Sequence, residues 1–554
     1  DPHFGERWGR HWLDLARYAD SDGYEFDKER PTAYPYRDAV IRAMNEDLPF
    51  DTFLKWQLAG DEIEPDNPLA RALTGFCASG PTIDNQVLEK NRYDELDDIL
   101  VTTCSSMLAL TVGCARCHDH KFEPISMRDY YRILAFFNTT KREEIHLATR
   151  IEADAARKRE GELTKRQVEA RAALDQFVSP FRTPIFESKL ASLPINATEQ
   201  NLLRAPEDPA NPPQRMLLDL YRQAIRVTDD ELVASMTESR QIRWETLKEA
   251  VANLEKELAE LPTKCLTVTD SQAEPLPAYF LARGDPDQKQ GEVQPGFLSV
   301  LRRIGAEERP VHIPVPDGAV TTHRRRALAE WITDVESGAG HLAARVIANR
   351  LWRHHFGEGL VRTPSDFGMQ GDRPSHPGLL DWLAGELIRG GWKLKPIHRL
   401  LARSSVYRLG TEFDEGKAAQ DPENRLLWRR RPVRLEAEPI RDAILAVSGK
   451  LNDEMYGPGI HPKVPREAIA TGSTYKWPVD VVDGPDTWRR SIYIFMRRSA
   501  VFPMLTVFDG TDATASCARR TATTVPLQAL ELLNNDFARE QAGYFAERAR
   551  ARVD

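Results

Sequence analysis

Residues 113–124 read GCARCHDHKFEP and gather two cysteines, two histidines and two acidic residues into twelve positions of a chain with six cysteines in all. Cys114-Ala-Arg-Cys117-His118 has the spacing C-x-x-C-H. Two thiols three residues apart can add to the two vinyl groups on one edge of a porphyrin, and the next residue then offers an imidazole to the iron. A second reading is zinc, for which Cys114, Cys117 and either His118 or His120 supply three of four tetrahedral ligands. No second C-x-x-C and no pair of histidines at finger spacing completes that set. A third reading is a reduced structural turn. The complete haem pattern against an incomplete zinc set favours haem c, with Cys114 and Cys117 as thioethers and His118 as the proximal iron ligand. His120 lies too near His118 in sequence to reach the other face of the same haem, and reads first as a loop histidine bonded to the backbone. A distal ligand then comes from elsewhere; His11, among the aromatics of the first helix, is the candidate, while Met107 and Met127 read as core.

A second group is His354, His355, Asp366 and His376, within 23 residues of one another, with Arg345, Arg350, Arg353 and Arg362 beside them. One reading is a polar pocket, in which His355, His376 and Asp366 do acid and base work and Arg345 holds an anion. The other is a helix end, NRLWRHHFGEGL, whose basic residues meet the C-terminal dipole, with His376 closing a Pro-rich turn. No Walker loop, dinucleotide fingerprint or serine nucleophile elbow stands where it would carry meaning.

The elements that must position these residues follow from periodicity. RYDELDDILVTTCSSMLALTVG places Leu96, Ile99, Leu100, Thr103, Met107 and Leu110 at a helical period, with Gly113 as its expected stop. Ser126 and Asp129 form a capping-box pattern for a second helix. The cysteine motif therefore falls in a short loop between two helices. In 144–262 charge rises, Ala156, Leu163, Ala170 and Phe177 recur every seven residues, and Leu247, Val251, Leu254, Leu258 and Leu261 alternate by fours and threes. That pattern predicts an antiparallel helical hairpin joined by the loop RAPEDPANPPQ, able to mediate oligomerisation. CLTVT, AYFLARG and VHIPVP read as short strands in 263–320. The expected fold is mainly α and multidomain: a helical motif-bearing part at 1–143, the hairpin at 144–262, a small β unit at 263–320 and a mostly helical part at 321–554.

Composition sets the outer limits. At 554 residues the chain exceeds one core, and 41% hydrophobic with 29% charged residues is a globular balance. Lys and Arg number 75 against 84 Asp and Glu, a formal charge of −9 that argues against nucleic acid as partner. No apolar run of about 18 residues is present, so no membrane span is expected. The cysteines are too few for a disulfide framework, although Cys77 and Cys104 are open to pairing.

FGERWGRHWLDLARYADSDGYEFD, YPYRDAVIRAMNEDLPFDTFLKWQLAGD, NRYDELDDIL and LTVGCARCHDHKFEPISMRDYY together resemble the planctomycete cytochrome-type domain of unknown function. ARVIANRLWRHHFGEGLVRTPSDFGMQGDRPSHPGLLDWLAGELIRGGWKLKPIHRLLARSSVYR and RRPVRLEAEPIRDAIL resemble the partner domain that follows it in the same large secreted proteins, and PMLTVFDGTDATASCARRTATTVPLQALELLNN continues the match. The resemblance implies covalent haem at Cys114, Cys117 and His118, a periplasmic or otherwise extracytoplasmic location, and a longer natural chain with a leader. Redox chemistry is the function expected from it: electron transfer to a partner protein, or a haem c-dependent oxidoreductase acting on a small-molecule or carbohydrate-related substrate. The alternative is a binding or assembly module in which the haem, or a zinc ion at Cys114 and Cys117, is structural.

Overall fold

Glu6, Arg10 and Asp14 repeat every four residues along the first helix, Phe4–Leu15, and look like a solvated stripe, yet all three are buried. Trp12, Leu13 and Leu15 of the same helix enter the core. Gly5 lets this helix cross Tyr34–Asn45 closely, because a Cβ there would lie 2.2 Å from the Ile41 carbonyl oxygen. Trp12 donates its indole N–H to Gln57 Oε1 at 2.9 Å, and the Tyr36 hydroxyl donates to the same oxygen at 2.7 Å. The large rings are thereby buried without stranding their polar ends.

The computed structural model describes residues 1–24, 27–83, 88–208, 211–302, 311–465, 477–478 and 481–552. It is 53% helix and 6% strand, which makes the chain mainly α, as expected. Contacts divide it into two units, Asp1–Thr149 with Lys264–Asp554, and Arg150–Thr263.

In the first unit one hydrophobic core runs from Trp12, Phe53 and Phe76 through Leu328, Ile347, Leu351 and Leu383. The N-terminal helices therefore share their interior with residues more than 300 positions away. A fully buried guanidinium reinforces that join: Arg325 donates to both carboxylate oxygens of Asp61 at 2.7 Å and lies 3.1 Å from Glu62 and 3.5 Å from Asp270. Burial, and the like charges of Asp61 and Asp270, push the Glu62 carboxyl up to about 8, although Arg325 pulls against them. Three carboxylates around one cation cannot all stay ionised cheaply.

Two antiparallel strand pairs complete this unit, Thr140–His146 with Lys264–Asp270 and Ala278–Leu281 with Lys289–Val293. VHIPVP forms no strand. Pro314 and Pro316 lack the N–H that a ladder needs, and Ala278–Leu281 pairs instead with the nearer KQGEV.

The second unit contains the expected hairpin. Helices Arg150–Ala191 and Glu238–Ala259 run antiparallel, with Arg159 bonded to Glu257 near one end and Val178 clustered with Trp244 further along. Ala156, Leu163, Val251 and Leu254 are buried at their repeat positions. The connection is richer than a loop: helices Ala197–Arg204 and Pro212–Ile225 enclose Leu190, Leu203, Leu217 and Ile225. Asn211 caps the second of these by accepting from Gln214 N–H, with Pro212 starting the helix.

Before the cysteine motif, helix Glu89–Thr103 widens into a π turn at Cys104–Leu108 and stops at Ala109, in the left-handed region at φ 49°. The expected stop at Gly113 is thus reached early, and Gly113 instead starts the 3₁₀ turn Gly113–Arg116. Arg350, buried on helix Gly340–Phe356, donates to the Ser105 and Ser106 carbonyls that the wider turn frees. No disulfide joins any of the six cysteines, so Cys77 and Cys104 are not paired. No described helix is long and apolar enough to cross a membrane.

Candidate functional site

The 3₁₀ turn that holds the motif is fixed from three sides. Ala115 is fully buried. Arg116 bonds Asp94 at 2.6 Å and lies 3.6 Å from Asp97 on helix Glu89–Thr103. Tyr131, on helix Met127–Leu134, donates its hydroxyl to the Arg116 carbonyl at 2.8 Å. That helix starts with the expected capping box, Ser126 with Asp129. The result is a rigid ledge from which both Cys114 and Cys117 project into solvent. Gly284, at φ +73°, comes so close to Cys117 that a Cβ would lie 2.9 Å from its sulfur, and the Tyr131 and Phe280 rings pack at 5.2 Å beside it.

The two histidines of the motif are set in opposite tautomers by their partners. Nδ1 of His118 lies 2.7 Å from the Asp119 carbonyl oxygen, which can only accept, so Nδ1 carries the proton and Nε2 keeps its lone pair. Nδ1 of His120 accepts from Glu123 N–H at 2.9 Å and Phe122 N–H at 3.3 Å, so its proton is on Nε2. His118 is therefore disposed as a ligand, and His120 closes the turn. Glu123 has a similar duty: buried, it accepts from Met369 N–H at 2.6 Å, across a position where any Cβ on Gly368 would strike its carboxylate.

A different cluster forms where the first helix meets helices Gly340–Phe356 and Leu394–Arg403. Trp8 is surrounded by four imidazoles, with ring centroids 5.3 Å from His11, 5.7 Å from His354, 5.6 Å from His355 and 4.0 Å from His398. His11 stacks on His354 at 3.6 Å, and its Nδ1 lies 4.0 Å from Glu436 Oε2. His355 Nε2 and His398 Nδ1 are 2.9 Å apart. Burial is the main reason the imidazoles are neutral. It holds His11 and His354 well below the ordinary histidine value, with neighbouring charges, Arg353 and Arg7 among them, adding to it. It takes His398 down to about 3, aided by His355. Beside His11 lies a cavity of about 60 Å³, lined also by Arg350, Arg353 and Cys517. Burial raises the Cys517 thiol, so it is not an activated nucleophile.

The structure thus sorts the residues that the sequence singled out. His11, His354 and His355 come together around Trp8, where His11 contacts Trp8, His354 and Glu436 rather than the Cys114–His118 turn. Arg345 pairs with Asp381 at the surface, 2.7 Å away. Asp366 accepts from Gly368 N–H within its own turn, and His376 Nδ1 meets Ser375 Oγ at 3.0 Å at the start of helix Pro377–Arg389. Those three hold local structure. His398 and Glu436 join the site without a sequence signal, and the fold brings Trp8 and Cys517 there with them. Among the described residues, the one set of three His, Cys, Asp or Glu ligand atoms lying within 4.8 Å of one another is His11, His354 and Glu436. Cys114, Cys117 and His118 are not gathered into such a set, so the zinc reading lacks assembled ligands there.

A helical pair of domains sharing one core, with a thiol-bearing ledge on one and a half-buried imidazole cluster at their seam, is the class these features define. Residues 1–142 match the family model described as PSCyt2, protein of unknown function (DUF1549), and residues 324–554 match PSD1, protein of unknown function (DUF1553). Comparisons with curated proteins and with solved structures gave no match.

Proposed function

We infer that the chain carries haem c, which Cys114 and Cys117 would hold covalently and whose iron His118 would bind, and that it works as an extracytoplasmic redox protein. The observation that carries this reading is the His118 imidazole, whose Nδ1–H is spent on the Asp119 carbonyl so that Nε2 is the nitrogen left to bind iron. The donor set fits the group: two solvent-exposed free thiols at C-x-x-C spacing and an exposed imidazole directly after them. When bound, the haem supplies one-electron chemistry. The chain's own residues set its place. Arg116, Tyr131 and Ala115 hold the turn rigid, while Glu123 and His120 fold the rest of the loop back onto the Met369 backbone. Exposure of the ledge favours electron exchange with a docked partner protein. The half-open cavity beside His11, about 60 Å³, has room for waters or a small ligand.

The test is a spectroelectrochemical titration of the full chain produced with c-type cytochrome maturation. A reversible one-electron transition of a haem band is expected. A chain without a redox-active chromophore would overturn the reading.

A further inference from the structure

We propose that His11, His354 and Glu436 form a second, separate site, which binds one divalent transition-metal ion in a two-histidine, one-carboxylate arrangement with an open position beside the adjoining cavity. The three ligand atoms already lie within 4.8 Å of one another, against roughly 3.3 Å between ligands in a tetrahedral zinc site. Binding one ion asks the His11 and His354 rings, stacked at 3.6 Å, to turn out of parallel so that their in-plane lone pairs converge.

A second observation points to a ligand independently of this spacing. The His11 side chain is 9% exposed, and its Nε2 is buried with no hydrogen-bond partner. A buried imidazole nitrogen without a partner costs free energy that a bound ligand can relieve, and Nδ1 of the same ring is the nitrogen that faces Glu436 Oε2, at 4.0 Å. Arg7 donates to Glu436 Oε2 at 2.6 Å, the kind of outer hydrogen bond that orients a ligating carboxylate.

The charge balance says more about the occupant. Two neutral imidazoles and one carboxylate neutralise half of a divalent ion, and the guanidinium groups of Arg7 and Arg353 oppose a bare cation. The open position therefore takes an anion, hydroxide being the smallest that fits a cavity of about 60 Å³. Imidazole and carboxylate donors with an open position suit Zn²⁺, Co²⁺ or Fe²⁺ and exclude a calcium-type oxygen cage.

The inference is independent of the haem reading, and its test is arranged to keep them apart. In the full chain bearing Cys114→Ser and Cys117→Ser, the motif has lost both thiols and cannot hold covalent haem. Zn²⁺ titrated calorimetrically and Co²⁺ followed by its visible absorption should each bind at one ion per chain. His11→Ala and His354→Ala should each weaken binding by more than about 100-fold. Glu436→Gln, a quarter-exposed side chain whose exchange spares the core, should also weaken it, while His376→Ala leaves it unchanged. Absence of stoichiometric binding in the folded chain overturns the proposal, and so does binding that survives Glu436→Gln and His354→Ala undiminished.

Discussion

Arg520→Ala is expected to lower the unfolding free energy by about 3–5 kcal/mol at neutral pH, the range for removing one partner of a buried ion pair. Arg520 is the cation between two buried carboxylates: it bonds Asp14 at 2.7 Å and 3.0 Å, and Glu438 at 2.6 Å and 2.8 Å. Arg10, bonded to Asp14 at 2.5 Å and 3.4 Å from Glu438, would then be left to neutralise both. These groups join the first helix to helix Ala437–Ser448, so their loss opens the seam that also holds the imidazole cluster.

The effect has a defined pH window. Burial alone would raise the Glu438 carboxyl, but Arg520 and then Arg10 outweigh it and bring it down to about 2, from an ordinary value of 4.5. The folded state then binds fewer protons than the unfolded state between those values. The contribution of Glu438 is complete above 4.5 and is lost as pH falls toward 2. Urea unfolding of wild type and Arg520→Ala should show a gap that is full at pH 7 and narrows through that window. A gap below about 1 kcal/mol at pH 7 would mean that the network contributes little.

The second large effect is on cofactor content rather than stability. Cys114→Ser combined with Cys117→Ser should take covalent haem from one per chain to none. Both thiols are exposed, and neither side chain is counted in the core, so the exchange itself should change stability by no more than about 0.5 kcal/mol. A variant that keeps its haem through denaturation would show that the attachment lies elsewhere. A variant that fails to fold even without haem would show that the thiols hold structure.

Much of the architecture was legible in the sequence because it depends on local rules. Ser126 and Asp129 cap a helix as their spacing requires, and the seven-residue repeat through Ala156 and Leu163 does bury one face of a long helix. The placement of Cys114–His118 between two helices followed from the same local signals. What could not be read has long-range causes. Glu6, Arg10 and Asp14 have the spacing of a solvated stripe, and partners hundreds of residues away in sequence bury them. The helix after Glu89 was expected to run to Gly113; it yields to a π turn because Arg350 is there to take the freed carbonyls. His11 and His354 each drew notice alone, but their stacking beside Glu436 joins three distant stretches of chain and leaves no spacing to detect.

The tautomers of His118 and His120 sharpen the central claim, since they assign ligation to one nitrogen of one residue. The most direct measurement is the intact mass of the wild-type chain, unfolded in acid, after production with c-type cytochrome maturation. The account predicts the polypeptide plus one haem that denaturation does not release. A mass equal to the bare polypeptide would contradict it.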